Sequence, residues 1–234
     1  MKSVSFNKEV LSLVNELASI NQSIKLFKDN GKVVIKTQNP QETIAYILTT
    51  EDMSFDFDGD EIAFYNYTDF YKWISTLNAT SMSQDDNGML QIGNGRQKGL
   101  YQTSDTDIVK GGRFDIDFGE PDATLVLSVD DLKELQKLRS LVAKEGTNLK
   151  ISFSEKTAHI EISSTESNNV VETDIALERT VEEDFSLRIS DEFLSTIPTK
   201  YSYRVDVLQA GLVRLSMNND IGVDVEIYIA EVEE

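Results

Sequence analysis

Cysteine is absent from this chain of 234 residues, and histidine occurs once. The first absence excludes a disulfide framework, a thiol nucleophile and a thiolate metal site. Together the two remove the usual zinc patterns, which combine several imidazoles and thiolates. Bases are also scarce. Only 22 Lys and Arg stand against 41 Asp and Glu, a formal net charge of -19. As an average, that balance predicts a repulsive, soluble surface and argues against nucleic acid, whose binders usually present a basic face. The average does not say where the bases sit. Long apolar runs are missing too: no segment approaches the roughly twenty apolar residues of a membrane span. The start, MKSVSFNKEVLSLVNELAS, breaks every few residues with charge or amide and lacks the run of a signal peptide. The expectation is a cytoplasmic protein with no membrane partner.

What is present suffices for a core. Hydrophobic residues make up 40%, with eleven Phe and eight Tyr among them, so a disordered chain is not expected. From Asn7 to Ile20, Val10, Leu13, Val14 and Leu17 recur at helical spacing. Short alternating strands follow: SIKLFK, KVVIKT after the turn DNG, and ETIAYILT after the turn NPQ. A second helix over 67–77 puts Phe70, Trp73, Ile74 and Leu77 on one face, with Thr68 or Asp69 available as its cap. Strands resume at 81–85, 89–93 and 97–103.

From about residue 123 the same order returns. TLVLSV leads into a helix over 130–144, then NLKISFS, TAHIEIS and VVETDIAL. SLRISDEFLSTI reads as a strand and a short helix stopped by Pro198, and three strands close the chain. The two passes lay Val10, Leu13 and Leu17 on Leu135, Leu138 and Val142, and Phe70 and Ile74 on Phe193 and Ile197. The stretch SDTDIVKGGRFDIDFGEPD separates them and reads as a connector. The division is a first domain over 1–107, a connector over 108–122 and a second domain over 123–234. Amphipathic strands with few, short helices predict an α+β class, antiparallel sheets carrying helices on one face. No continuous apolar strand suggests a parallel βαβ sheet.

Catalytic constellations are missing. His159 lies in the alternating TAHIEIS and reads as a partly covered strand residue, not a base. The acidic run DFDGDE at 56–61 lacks the twelve-residue frame of a calcium loop, and a hairpin turn explains it. GNGRQKG at 93–99 resembles a phosphate loop only in its glycines, since Lys98 is followed by Gly99 and a strand. No GxSxG or HExxH occurs. The chain therefore reads as no enzyme, with no cofactor and no metal.

The bases, by contrast, have a pattern. On the helix 130–144, Leu132, Leu135, Leu138 and Val142 face inward with Leu141 at the margin. Lys133, Lys137 and Lys144 lie opposite, and Arg139 flanks the apolar side. Asp130, Asp131 and Glu134 sit toward the N-terminal end, which the helix dipole favours. Lys8 on the first helix, Lys72 on the second and Lys200 after the fourth are further candidates, as are Arg96 and Lys98 in the hairpin. Equivalent helices of a repeat tend to share a side of the sheet. Such a face would touch phosphates without reading bases, while the acidic exterior discourages DNA elsewhere.

The early helix running into a hairpin, NKEVLSLVNELASINQSIKLFKDNGKVVIKT, and its second copy, LSVDDLKELQKLRSLVAKEGTNLKISFSEKTAHIEI, resemble the DNA polymerase sliding clamps. The similarity is to the trimeric bacteriophage type, related in shape to the eukaryotic and archaeal proliferating-cell clamp. It implies the DNA-clamp fold, with two similar domains in each subunit of a closed homotrimeric ring. It further implies a viral processivity factor that encircles double-stranded DNA without sequence specificity and tethers the DNA polymerase. An ATP-dependent clamp loader would place the ring, in the cytoplasm of an infected bacterial host. Lys8, Lys72, Lys133, Lys137, Lys144 and Lys200 match positions that face DNA in such rings. A client segment would dock near the connector 108–120 and the end 227–232. The alternatives are a non-enzymatic oligomeric viral structural or interaction protein without DNA binding, and, more remotely, a hydrolase.

Overall fold

The computed structural model describes residues 7–51, 59–84, 88–109, 116–142, 147–164 and 168–232. Contacts divide the chain into two compact units. One comprises Met1–Pro40, Tyr46–Phe114 and Asp220–Val225, the other Gln41–Ala45, Asp115–Asn219 and Glu226–Glu234. Two short segments thus cluster with the unit opposite to their neighbours in sequence.

In the first unit, helix α1 (Lys8–Leu17) starts at Asn7, whose side chain accepts from the backbone N–H groups of Glu9 and Val10 at 3.1 and 3.3 Å. Such a cap stabilises a helix by about 1 kcal/mol. The helix buries Val10, Leu11, Leu13, Val14 and Leu17. Strands β1 (Ile24–Asp29), β2 (Lys32–Gln38), β3 (Ile44–Thr50) and β4 (Glu61–Phe64) lie in the order β4-β1-β2-β3. The β1–β2 hairpin turns on Asn30 and Gly31, both at positive φ (48° and 83°), the geometry a two-residue hairpin requires and an Asn-Gly pair supplies. β4 begins on Glu61, the last residue of the acidic run, in a segment the alternation does not mark as a strand.

Helix α2 (Tyr67–Thr76) is capped by Asn66, which accepts from the N–H of Asp69 at 3.0 Å, and not by Thr68 or Asp69 themselves. The helix begins earlier than its polar residues suggest because Tyr67 is itself fully buried, edge-on to Phe64. A second sheet follows, β5 (Ser81–Gln84), β6 (Leu90–Gly93) and β7 (Lys98–Tyr101), in that order.

The second unit opens with β8 (Ala123–Leu127) and α3 (Val129–Val142). At the start of α3 the hydroxyl oxygen of Ser128 accepts from the N–H of Asp131 at 3.1 Å. The Asp131 carboxylate accepts from the N–H of Ser128 at 2.8 Å in return, a reciprocal cap. Strands β9 (Thr147–Ser154), β10 (Thr157–Ser164), β11 (Val170–Ala176) and β12 (Phe185–Ile189) form a sheet in the order β11-β10-β9-β12. Helix α4 (Phe193–Thr196) is one turn long and stops before Pro198, with Ile197 already extended. Strands β13 (Ser202–Leu208), β14 (Leu212–Asn218) and β15 (Val223–Ala230) continue the order β15-β14-β13-β8. Alternation places Leu149, Ile151, Phe153, Ile160 and Ile162 inward from one sheet and Leu125, Val205, Val207, Val213 and Leu215 from the other.

Three residues depart from their expected faces. Leu138 on α3 and Leu77, just past the last turn of α2, are only half-buried. Trp73 is 41% exposed on α2, although Phe70 and Ile74 beside it are buried. Its ring stands on Gly99 of β7, so close that a Cβ there would lie 2.6 Å from the indole, and meets Tyr101 edge-on at 5.9 Å. β7 ends its sheet, so the indole has support on one side alone.

Candidate nucleic-acid interface and connector face

In the first unit three of the candidate cations, Lys8, Arg96 and Lys98, are brought to the C-terminal end of α2. Lys8 donates from Nζ to Oδ1 of Asn78 at 2.8 Å, which joins the start of α1 to the residues just past α2. Asn94 donates to the carbonyl of Leu77 at 2.7 Å, closing α2, and its Oδ1 accepts from the N–H groups of Arg96 and Gln97. The hairpin that carries exposed Arg96 and Lys98 is therefore fixed to the same helix end. The C-terminal end of a helix dipole favours positive charge. Lys72, also exposed, sits on the helix with Asp69 3.3 Å away.

In the second unit Lys133 and Lys137 are exposed one turn apart on α3, with Glu134 and Ser140 beside them. Arg139 is taken out of that face. Its Nε donates to the carboxylate of Asp191 at 2.5 Å, which also accepts the Thr147 hydroxyl at 2.5 Å. Gln136 donates to the carbonyl of Leu194 at 2.6 Å, so α3 is tied to α4 by side chains from its flank. Lys200 is exposed after α4, its Nζ 5.2 Å from the ring centre of Tyr201. Lys144 lies outside the described residues.

No group of three or more His, Asp or Glu among the described residues could hold a metal ion. His159 is half-exposed on β10, its Nδ1 2.7 Å from Asp174 of the neighbouring strand β11, with which it is in register. Among the described residues no helix is long and apolar enough to cross a membrane.

The connector and the chain end meet on the outward side of β13, β14 and β15. Phe118 lies with its ring 6.3 Å from that of Tyr228 and 4.4 Å from the guanidinium carbon of Arg214. Arg214 donates to Asp206 at 2.7 Å. Asp206 is 2% exposed on a strand face that alternation turns away from the core, and it also accepts from Thr124 at 3.0 Å and Arg204 at 3.1 Å. Arg204 reaches Glu178 at 3.5 Å. Burial by itself would push the Asp206 carboxyl up. Hydrogen bonds from Arg214 and Thr124 and the two guanidinium charges outweigh it and hold the group below its ordinary value. The phenol of Tyr228 donates to Glu226 at 2.8 Å. Its burial and that carboxylate push its pKa up to about 12. A separate groove of about 580 Å³ is lined by Lys150, Arg188, Gly211, Ala230, Glu231 and Val232.

The Asp206 cluster has no counterpart in the sequence-derived candidates, because an acid at an outward strand position reads as solvated. Phe118 had a visible cue: it is an aromatic residue inside a polar, glycine-containing connector.

No family model matches the chain, and no curated protein matches it in sequence. Solved structures do. One is the C-terminal region of FEN-1 bound to A. fulgidus PCNA (TM-score 0.75, 15% identity), covering 100% of this chain and 99% of that one. A PCNA2–PCNA3 complex from Sulfolobus tokodaii has TM-score 0.75 at 11% identity, covering 99% of each chain. Proliferating Cellular Nuclear Antigen from Entamoeba histolytica has TM-score 0.72 at 12% identity, covering 99% of this chain and 97% of the other. With sheets and helices matched from end to end in all three, this chain has the two-domain α+β architecture of the DNA-clamp fold.

Proposed function

We propose that this protein is a sliding clamp, a non-catalytic processivity factor that encircles duplex DNA as a homotrimer and tethers a polymerase. The observation that carries the reading is a pair of open sheet edges, one in each unit. β7 ends the first unit's smaller sheet, with Leu100 51% exposed on it and Trp73 beside it. β11 ends the sheet of the second unit, none of its seven residues fully buried and Val170 48% exposed. Leu141, at the end of α3, is 65% exposed. Open edges with apolar side chains invite pairing with another chain unless they are blunted or covered. Two different edges on one chain make a heterologous contact, and such a contact closes into a ring when its rotation allows.

The cations fit the same reading. Lys133 and Lys137 on α3, and Lys8, Lys72, Arg96 and Lys98 around α2, provide flexible phosphate contacts that break and reform as a ring slides. Lys200, exposed after α4, would add a contact of the same kind, and Lys144, outside the described residues, keeps its place in the proposal. Long lysine side chains carry no base readout, so sequence-specific binding is not part of the proposal. An ATP-driven loader would open the ring. A polymerase segment would dock on the connector face, and tethering would raise processivity through effective concentration. The bacteriophage origin, and with it the cytoplasm of an infected bacterium, belongs to the same proposal.

Light scattering after size exclusion tests the ring directly. Three subunits of 26.3 kDa give 78.9 kDa, expected at high concentration and falling toward monomer on dilution. Leu100→Asp on β7 should hold the chain monomeric at every concentration without lowering its melting temperature, because the side chain is already outside the core. A wild-type monomer at all concentrations overturns the ring and the reading with it.

A further inference from the structure

Connectors of low regular structure usually move freely over a surface, and the segment after residue 115 has no helix or strand until β8. One aromatic residue in it nevertheless has a definite seat. We propose that Arg214 is the positioning residue of the connector: held by the Asp206 carboxylate, it seats Phe118 and so fixes where the connector lies on β13, β14 and β15. This deepens the clamp proposal and rests on it for one step, that the connector face receives the client segment.

Three observations support the assignment. First, Arg214 binds Asp206 through one terminal nitrogen, at 2.7 Å, and its buried Nε finds no hydrogen-bond partner among the described residues. A guanidinium placed only to pair with a carboxylate would use its two-pronged fork. This one gives up a donor and lies over the Phe118 ring instead, at 4.4 Å. Second, Asp206 is anchored independently of Arg214, since Thr124 and Arg204 both donate to its Oδ1 while Arg214 takes Oδ2. The acid is thus a fixed post, anchored from β8 and from its own strand, against which Arg214 is set. Third, Phe118 contacts both Arg214 and Tyr228, so its seat spans β14 and β15 and a displaced Phe118 would uncover both.

The absence of cysteine permits a clean test on the full chain. A single cysteine at Asp117, carrying a nitroxide, reports by its line shape whether the connector is held or mobile. The label should be largely immobile in the otherwise unchanged protein. Arg214→Lys keeps a cation opposite Asp206 but removes the flat group from the ring. It should raise the ratio of mobile to immobile label about tenfold, the scale of a partly desolvated cation–π contact. Phe118→Leu keeps an apolar side chain of similar reach and removes only the aromatic face, so it should free the label to the same extent. The double variant should go no further than either alone. A label already mobile at the start overturns the proposal, as does one that stays immobile in Arg214→Lys or Phe118→Leu. Should Arg214→Lys fail to fold, Phe118→Leu decides by itself. The ring is scored separately by solution mass: coupled mobility in a protein that never leaves the monomer would keep the positioning role and discard the client role.

Discussion

Asp206→Ala should destabilise the protein by about 3–5 kcal/mol, the scale seen when one partner of a buried, hydrogen-bonded ion pair is removed. The residue is 2% exposed and accepts from Thr124, Arg204 and Arg214. Without it, two guanidinium groups face each other across an emptied site with no carboxylate between them. Against the 5–15 kcal/mol by which domains of ordinary size are stable, that is a large fraction. Urea titration followed by circular dichroism measures it, and the midpoint should fall with the slope unchanged.

The same group gives a pH signature. Because the folded carboxyl titrates below its ordinary value, the unfolded chain takes up its proton first as pH falls. Its contribution is therefore complete above about pH 4 and is lost as pH drops from there through the folded pKa. Asp206→Asn removes the titration while preserving size. Its stability curve should be flatter than the parent's below pH 4, and the gap between the two should narrow as acid is added. The difference between the proteins isolates one carboxyl from the 40 other acids. A gap that stays constant from pH 7 to pH 3 would mean that Asp206 contributes packing and not charge.

How much of this was legible beforehand divides along the range of the interactions. Helical spacing found the inward residues of α1 and the outward Lys133 and Lys137 on α3, because a local period determines which way a side chain points. Asn30-Gly31 gave the first hairpin for the same reason. Spacing did not find what covers a face or where a sheet ends. Trp73 has the spacing of a core residue and lies exposed because β7 is the last strand of its sheet. Asp206 has the spacing of a solvated residue and is buried, held by three donors from β8, β13 and β14 and adjoined through Arg214 by Phe118 of the connector. Lys8 and Arg96 are far apart in sequence, and Asn78 and Asn94 bring both to the end of α2. Each failure is a long-range contact replacing a local rule.

The charge reversal Lys133→Glu with Lys137→Glu separates the clamp from an oligomer that has no business with DNA. Both side chains are exposed on α3, so folding and the solution mass should be unchanged. A ring of three would present six of these lysines. Each phosphate contact contributes about 0.9 to the slope of log affinity against log salt, so losing all six would flatten the slope by roughly 5. Between 50 and 200 mM salt, a slope difference of that size corresponds to about 10³-fold in affinity. Fluorescence anisotropy with a short linear duplex reads it without a loader. Rings that reach a closed DNA circle should still be retained there, because a topological link does not depend on any one lysine. Weakened, salt-insensitive binding to linear DNA with intact retention on circles is the pattern of a ring that slides on its helices. An unchanged salt slope would place the DNA elsewhere or nowhere, and the acidic, edge-rich oligomer would then be the better account of the same fold.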